Sequence, residues 1–192
     1  DECPADALKA HPFALLVLMR SMFNWRNIPK MLELKALLLA ALEEHPELPA
    51  EERGNLLGEC DLIMSFLCYN DISAMSRLHR SASAQMSRPA ISIRSSGGWT
   101  FGSPSVLMMF YRAPGELAGE LAEMAECMPH YYKITNGHGQ GAETIMRAEA
   151  AFVQGRFTDA HIALESAYAQ IEGNGQENMA LCCDFLAQRL SR

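Results

Sequence analysis

Positive charge is scarce in this chain, and long apolar runs, strand alternation and catalytic signatures are missing from it. Lys and Arg number 16 against 23 Asp and Glu, a formal net charge of −7. An acidic surface repels phosphate backbones and anionic headgroups, so nucleic acid and charged membranes are poor partners for this stretch. The longest uncharged apolar run, Pro12 to Met19, is ended by Arg20. It is too short to span a bilayer, and no secretory leader with a small-residue cleavage site is evident. No H-E-x-x-H, G-x-S-x-G or G-x-x-x-x-G-K-[ST] occurs. There is thus no motif-level case for a zinc protease, a nucleophile elbow or a P-loop. Strand-like alternation is almost absent, which leaves helices.

No C-x-x-C pair is formed by the six cysteines, Cys3, Cys60, Cys68, Cys127, Cys182 and Cys183. Cys60 and Cys68 share a helix face but stand more than two turns apart, beyond disulfide reach. Neighbours Cys182 and Cys183 could bridge only with strain. Free thiols used as small core residues are expected, a usage that fits a reducing cytoplasm. The chain begins Asp1-Glu2-Cys3 and not with Met, so it reads as a piece of a longer protein.

What is present is a repeat. Ile28, Ile72, Pro114 and Phe157 recur at spacings of 44, 42 and 43 residues. Five residues earlier stand Phe23, Leu67, Met109 and Phe152, and ten residues later Leu38, Ala82, Met124 and Ala167. A fixed period in this range marks one supersecondary unit stacked on its copies. The expected fold is all-α, a right-handed superhelix of about four antiparallel helix pairs with a C-terminal closing helix. The units span roughly 12–45, 51–87, 104–133 and 142–172, closed by 176–190, in one domain. Stacked pairs make concave surfaces that bind more often than they catalyse.

The helices are predicted at about 12–26, from 28 through Leu42 to a stop at His45–Pro49, 51–69, 72–86, 104–112, 114–128, 142–154, 158–172 and 176–190. The second, apolar almost all round, reads as a buried helix. Two irregular stretches interrupt the pattern. Ser87–Ser103 is long for a compact repeat, and loops of that length are often functional. Thr135–Gly141 holds Gly137-His138-Gly139-Gln140-Gly141, which follows a helix and is expected to be a flexible turn, not a phosphate loop.

In the fourth unit Ala148, Ala151, Gly155, Phe157, Ala160, Leu164 and Ala167 have the small-and-aromatic spacing of a tetratricopeptide repeat, with Phe157 plugging the turn. The other units lack the Gly before the turn. Five further stretches carry a more specific likeness: Asn27-Ile28-Pro29-Lys30-Met31, Glu52-Arg53-Gly54-Asn55, Tyr69-Asn70-Asp71-Ile72, Trp99-Thr100-Phe101-Gly102-Ser103-Pro104-Ser105 and Thr135-Asn136-Gly137-His138-Gly139. With them the chain resembles the helical-repeat signalling region of bacterial LuxR-type transcriptional regulators similar to the maltose-regulon activator. The resemblance implies a sensing arm between an N-terminal ATPase module and a C-terminal DNA-binding helix-turn-helix, neither of which is in this chain. No cofactor is expected here, ATP belonging to the missing module, and DNA would be contacted only through the missing helix-turn-helix.

Candidate site residues come from the two irregular stretches and the short helix between them: Trp99, Phe101, Tyr111, Arg112, His130, Tyr131, Tyr132 and Asn136. Trp and Tyr pair an apolar face with a polar tip, which suits small ligands or peptides. The competing account is that Trp99 and Phe101 pin the loop and the tyrosines pack between repeats. The six histidines, His11, His45, His79, His130, His138 and His161, include no i, i+4 pair, so no metal site is expected. The 12 methionines suit core filling or an adaptable contact surface.

The reading that follows is a non-catalytic, cytoplasmic sensor domain that binds a small-molecule inducer or a regulatory protein on its concave face, without a membrane. The alternatives are a constitutive protein–protein scaffold and, more remotely, a hydrolase hidden in the two loops.

Overall fold

The computed structural model describes residues 4–98, 103–173 and 175–192. Those residues form ten α-helices and no strand: α1 (Ala5–Lys9), α2 (Pro12–Asn24), α3 (Ile28–Glu44), α4 (Ala50–Ser65), α5 (Ile72–Gln85), α6 (Val106–Phe110), α7 (Leu117–Thr135), α8 (Ala142–Val153), α9 (Phe157–Ile171) and α10 (Glu177–Leu190). A 3-10 turn, Phe66–Cys68, extends α4. Three pairs pack as expected, α2 on α3, α4 on α5 and α8 on α9, and α10 closes against α9 and α8.

The repeat is visible in the backbone at the turns. Arg26, Asn70, Gly115 and Gly155 all have φ between 58° and 90°, and each stands two residues before the second helix of its unit. This left-handed residue reverses the chain. Gly adopts it without strain; Arg26 and Asn70 adopt it without being Gly. In the first two units the side chain of the next residue caps the helix. Asn27 Oδ1 accepts from the Lys30 amide at 3.3 Å and Asp71 Oδ1 from the Ala74 amide at 2.9 Å, which satisfies donors the first turn cannot pair internally.

The third unit departs from the expected register. Its second helix starts at Leu117, in step with Gly115, and not at Pro114. It also runs through Pro129 to Thr135, well past Met128, and ends in a left-handed Asn136. The first helix of that unit shrinks to Val106–Phe110, and it packs on α8 while α7 packs on α5. Two smaller expectations are corrected. Phe157 does not plug its turn: it is 55% exposed and meets Phe152 edge-on, the ring centroids 5.8 Å apart. The second predicted helix, α3, buries one stripe (Met31, Leu34, Leu38, Ala41, Leu42) and exposes Leu32 and Leu39.

The core falls into two clusters. One joins α2, α3 and α4 around Leu15, Leu16, Leu38 and Ile63; the other runs from α4 to α10 around Ile72, Phe110, Met124 and Ile145. Phe23 packs against both. Cys60, Cys127 and Cys183 are buried thiols in no disulfide. Burial pushes Cys60 and Cys127 up to about 11 and Cys183 up to about 12, so they stay protonated and packed, unlike reactive thiolates.

Close backbone approach brings α4 to α5. A Cβ on Gly54 would stand 2.7 Å from the Gln85 carbonyl oxygen, and one on Gly58 2.5 Å from Met86 Cγ. Asn55 then closes the end of α5: its Oδ1 accepts from the Ser87 amide at 2.8 Å.

Three buried glutamates hold the irregular middle of the chain. Glu59 on α4 accepts from the Ser92 amide at 2.7 Å and meets Arg88 at 3.4 Å. Glu149 on α8 accepts from the Leu107 amide at 2.7 Å. Glu120 on α7 accepts from the Arg112 amide and its Nε, both at 3.2 Å. Amides, and for Glu59 and Glu120 a guanidinium, offset part of the cost of burying these carboxyl groups. Each of these replaces part of the regular helix pairing that this region lacks.

Candidate functional site

The two irregular stretches meet. His138, in the α7–α8 turn, shares Nε2 with the Gly97 carbonyl oxygen at 3.1 Å. Because that oxygen only accepts, Nε2 carries the proton. Nδ1 is then the acceptor, and the Tyr131 hydroxyl donates to it at 2.6 Å. Burial lowers the pKa of His138 and raises that of Tyr131, so both are held neutral. The start of α10 clamps the same loop. Gln176 Nε2 donates to the Ser95 carbonyl at 2.9 Å while its Oε1 accepts from the Gly139 amide at 2.9 Å. Asn178 Nδ2 donates to the Gly97 carbonyl at 3.2 Å.

These contacts wall two hollows that share Arg20, Gly98 and His138. The inner one, about 30 Å³, is lined mainly by apolar side chains, among them Phe66, Met109, Phe110 and Met128, with Tyr131 and His79. The outer one, about 570 Å³, lies between α2 (Asn24), the loop (Ser92, Arg94, Gly97) and α10 (Asn178, Leu181). That size suits a metabolite. A third hollow of about 700 Å³ adjoins them, sharing Asn24 with the outer one and Phe66 with the inner, and adds Arg26.

Arg20 is the central group. Its guanidinium stacks on Phe66 at 4.4 Å and lies 5.3 Å from the Phe23 ring centroid. Stacking fixes its plane. Nη1 is buried without a hydrogen-bond partner, and so is Ser92 Oγ in the outer wall. No carboxylate pairs with Arg20 among the described residues, and burial lowers its pKa. An uncompensated buried cation is costly. No Asp or Glu is among the described lining residues of the three hollows, which include Arg20, Arg26 and Arg94. In a chain of net charge −7 this is a local reversal of sign.

His79, in the inner wall, and Cys127 form an arrangement that resembles a nucleophile and base without being able to act as one. His79 Nε2 meets Ser65 Oγ at 2.9 Å, and Ser65 donates onward to the Leu62 carbonyl at 2.6 Å. Nε2 therefore donates, and Nδ1 accepts from the Cys127 thiol at 3.1 Å. Burial drives His79 down to about 3. A neutral histidine accepting from a buried, protonated thiol is a core hydrogen-bond chain, with neither a thiolate nor a proton acceptor near pH 7. Among the described residues no three His, Cys, Asp or Glu side chains converge in a metal-binding arrangement, and no helix is long and apolar enough to cross a membrane.

No family model, curated protein or solved structure matches the chain.

Of the candidate residues named from sequence, Trp99 and Phe101 lie outside the described residues. Tyr131 lines the inner hollow. The others stand elsewhere. Tyr132 donates its hydroxyl to Glu143. Arg112 pairs with Asp71 at 2.6 Å and with Glu120. Asn136 caps α7, Tyr111 is exposed after α6, and His130 is half-buried on α7. Sequence reasoning passed over Arg20, Ser92, Arg94 and Asn178. One signal did point to the first: Arg20 is the cation that ends the longest apolar run.

Proposed function

We propose that this chain is a non-catalytic sensor domain that takes a small-molecule effector in the Arg20 cavity. The carrying observation is the unpaired Arg20 guanidinium at the wall shared by two hollows. The cavity draws on α2, the central loop and α10, elements from opposite ends of the sequence. A ligand there would touch the first unit and the closing helix together, and so would favour one arrangement of the arm over another. We extend the proposal to a tetratricopeptide-like superhelical stack serving as the sensing arm of a LuxR-type regulator, with ATP and DNA bound by modules outside this chain. The motif stretches support this: Asn27, Asn70, Asp71 and Asn136 are turn and cap residues, and Gly54 and Asn55 join α4 to α5.

A thermal-shift screen with sugars and metabolites tests the effector reading on wild type and Arg20→Gln. A ligand at a hundred times its Kd stabilises by about 2.7 kcal/mol, roughly 5–10 °C for a domain of this size. The shift is expected in wild type and lost in the variant. No shift with any compound would leave the scaffold reading, which Leu181 and Phe185 favour, one turn apart and exposed on α10. A P-loop upstream and a helix-turn-helix downstream in the full reading frame would support the regulator reading, and the absence of both would remove it.

A further inference from the structure

We propose that the Arg20 cavity selects a small organic carboxylate with a polar body. The inference rests on the effector reading and names the ligand's chemical class. Three observations carry it. First, the described lining side chains of the three adjoining hollows include three arginines and no carboxylate. Second, four buried side-chain atoms lack a hydrogen-bond partner among the described residues, and two of them, Arg20 Nη1 and Ser92 Oγ, belong to residues of this cavity's wall and lie beneath its surface, within reach after a small side-chain shift. Both are donors; the other two, on Glu120 and Glu149, belong to the loop-holding carboxylates. Third, stacking on Phe66 and Phe23 holds the plane of the Arg20 guanidinium at the cavity wall, and a guanidinium held in plane is the group that binds a carboxylate through two parallel N–H···O bonds.

The remaining walls describe the rest of the ligand. Asn24 and Asn178 offer amides to hydroxyl or carbonyl groups across the outer hollow of about 570 Å³. The inner hollow, mostly apolar, suits a small apolar part of the ligand. Arg94, exposed at the outer rim, adds attraction at long range. A phosphate monoester shares the negative charge. It usually recruits a row of backbone amides or a helix N-terminus, whereas the unpartnered donors found here are side chains.

The test titrates the full chain with matched acid and neutral probes: gluconate beside glucose, 3-hydroxybutyrate beside 3-hydroxybutyramide, and phenylacetate beside phenylacetamide. Inorganic phosphate and glucose 6-phosphate form a separate arm. Calorimetric Kd values are measured for wild type, Arg20→Gln, Arg20→Lys, Ser92→Ala and Arg94→Gln. At least one acid is expected to bind tenfold or more tightly than its neutral partner. Arg20→Gln should weaken it tenfold or more, Arg20→Lys at least fivefold by losing the fork, and Ser92→Ala severalfold. Arg94→Gln should weaken it mainly at low salt. Circular dichroism identifies any variant that fails to fold; Arg94→Gln and Ser92→Ala, on the loop, keep the test standing if the Arg20 variants do. Neutral probes binding as tightly as acids, binding by the phosphate arm alone, or an acid indifferent to all four substitutions would overturn the carboxylate assignment while leaving an effector site. Silence from every probe would remove both.

Discussion

Acid should destabilise this protein through His79, and by a calculable amount. His79 is 1% exposed, its ring centroid is 4.9 Å from that of Tyr131, and both its nitrogens are committed to Ser65 and Cys127. Burial, with a smaller contribution from His130, holds its folded pKa near 3, against 6.5 for a free histidine. Because the folded value is the lower one, the unfolded chain takes up a proton between pH 6.5 and 3 that the native chain refuses. Stability is therefore full above pH 6.5 and is lost as pH falls. At pH 5 the loss is about 2 kcal/mol, or about 4–8 °C in the melting midpoint of a chain this size. Midpoints of wild type and His79→Gln measured from pH 7.5 to 5.0 isolate the effect, since every other titrating group cancels in the difference. The variant should start about 1–3 kcal/mol lower at pH 7.5, because glutamine cannot serve both partners, and the gap should close by about 2 kcal/mol at pH 5. Two parallel curves would refute the reasoning.

Two other perturbations have definite signs. Gly54→Ala gains helix propensity but sets a methyl 2.7 Å from the Gln85 carbonyl oxygen; the clash should dominate, costing about 1–3 kcal/mol in urea unfolding. Glu149 has its pKa raised, chiefly by burial, so wild-type stability falls as pH rises from about 4.5 through that raised value. Glu149→Gln keeps an acceptor for the Leu107 amide and should flatten that fall. Glu149→Ala strands the amide and should cost about 1–3 kcal/mol by the same measurement.

The helix pairs were legible because their signals are local. Apolar spacing and Gly155 at a turn both act within one or two turns of chain; the caps at Asn27 and Asp71 are equally local, though only the structure identified them. The third unit misled for an equally physical reason. Pro114 looks like a first-turn proline in register with Ile28 and Ile72, but the left-handed Gly115 sets the turn three residues later than the repeat implied. Pro129 looks like a stop, and α7 continues through it while packed on α5 and α8. The site was legible only in outline. The two irregular stretches do converge, at His138 and Gly97. The residues that give the cavity its charge do not advertise themselves, since nothing local to Arg20 or Ser92 tells a paired polar group from an unpaired one. That distinction depends on which side chains arrive from distant helices, and here no carboxylate arrives.

One side of the outer cavity is not a helix. Residues 92–97 are fastened by single hydrogen bonds from His138, Gln176 and Asn178 and by the Glu59 carboxylate, while the opposite side is α2, locked in the core by Leu15, Leu16 and Met19. The chamber thus has one stiff wall and one compliant wall. A guest somewhat too large could be admitted by exchanging a few hydrogen bonds at about 0.5–1.5 kcal/mol each, with no helix repacked. Guest size would then be discriminated weakly and the group held against the stiff wall strongly.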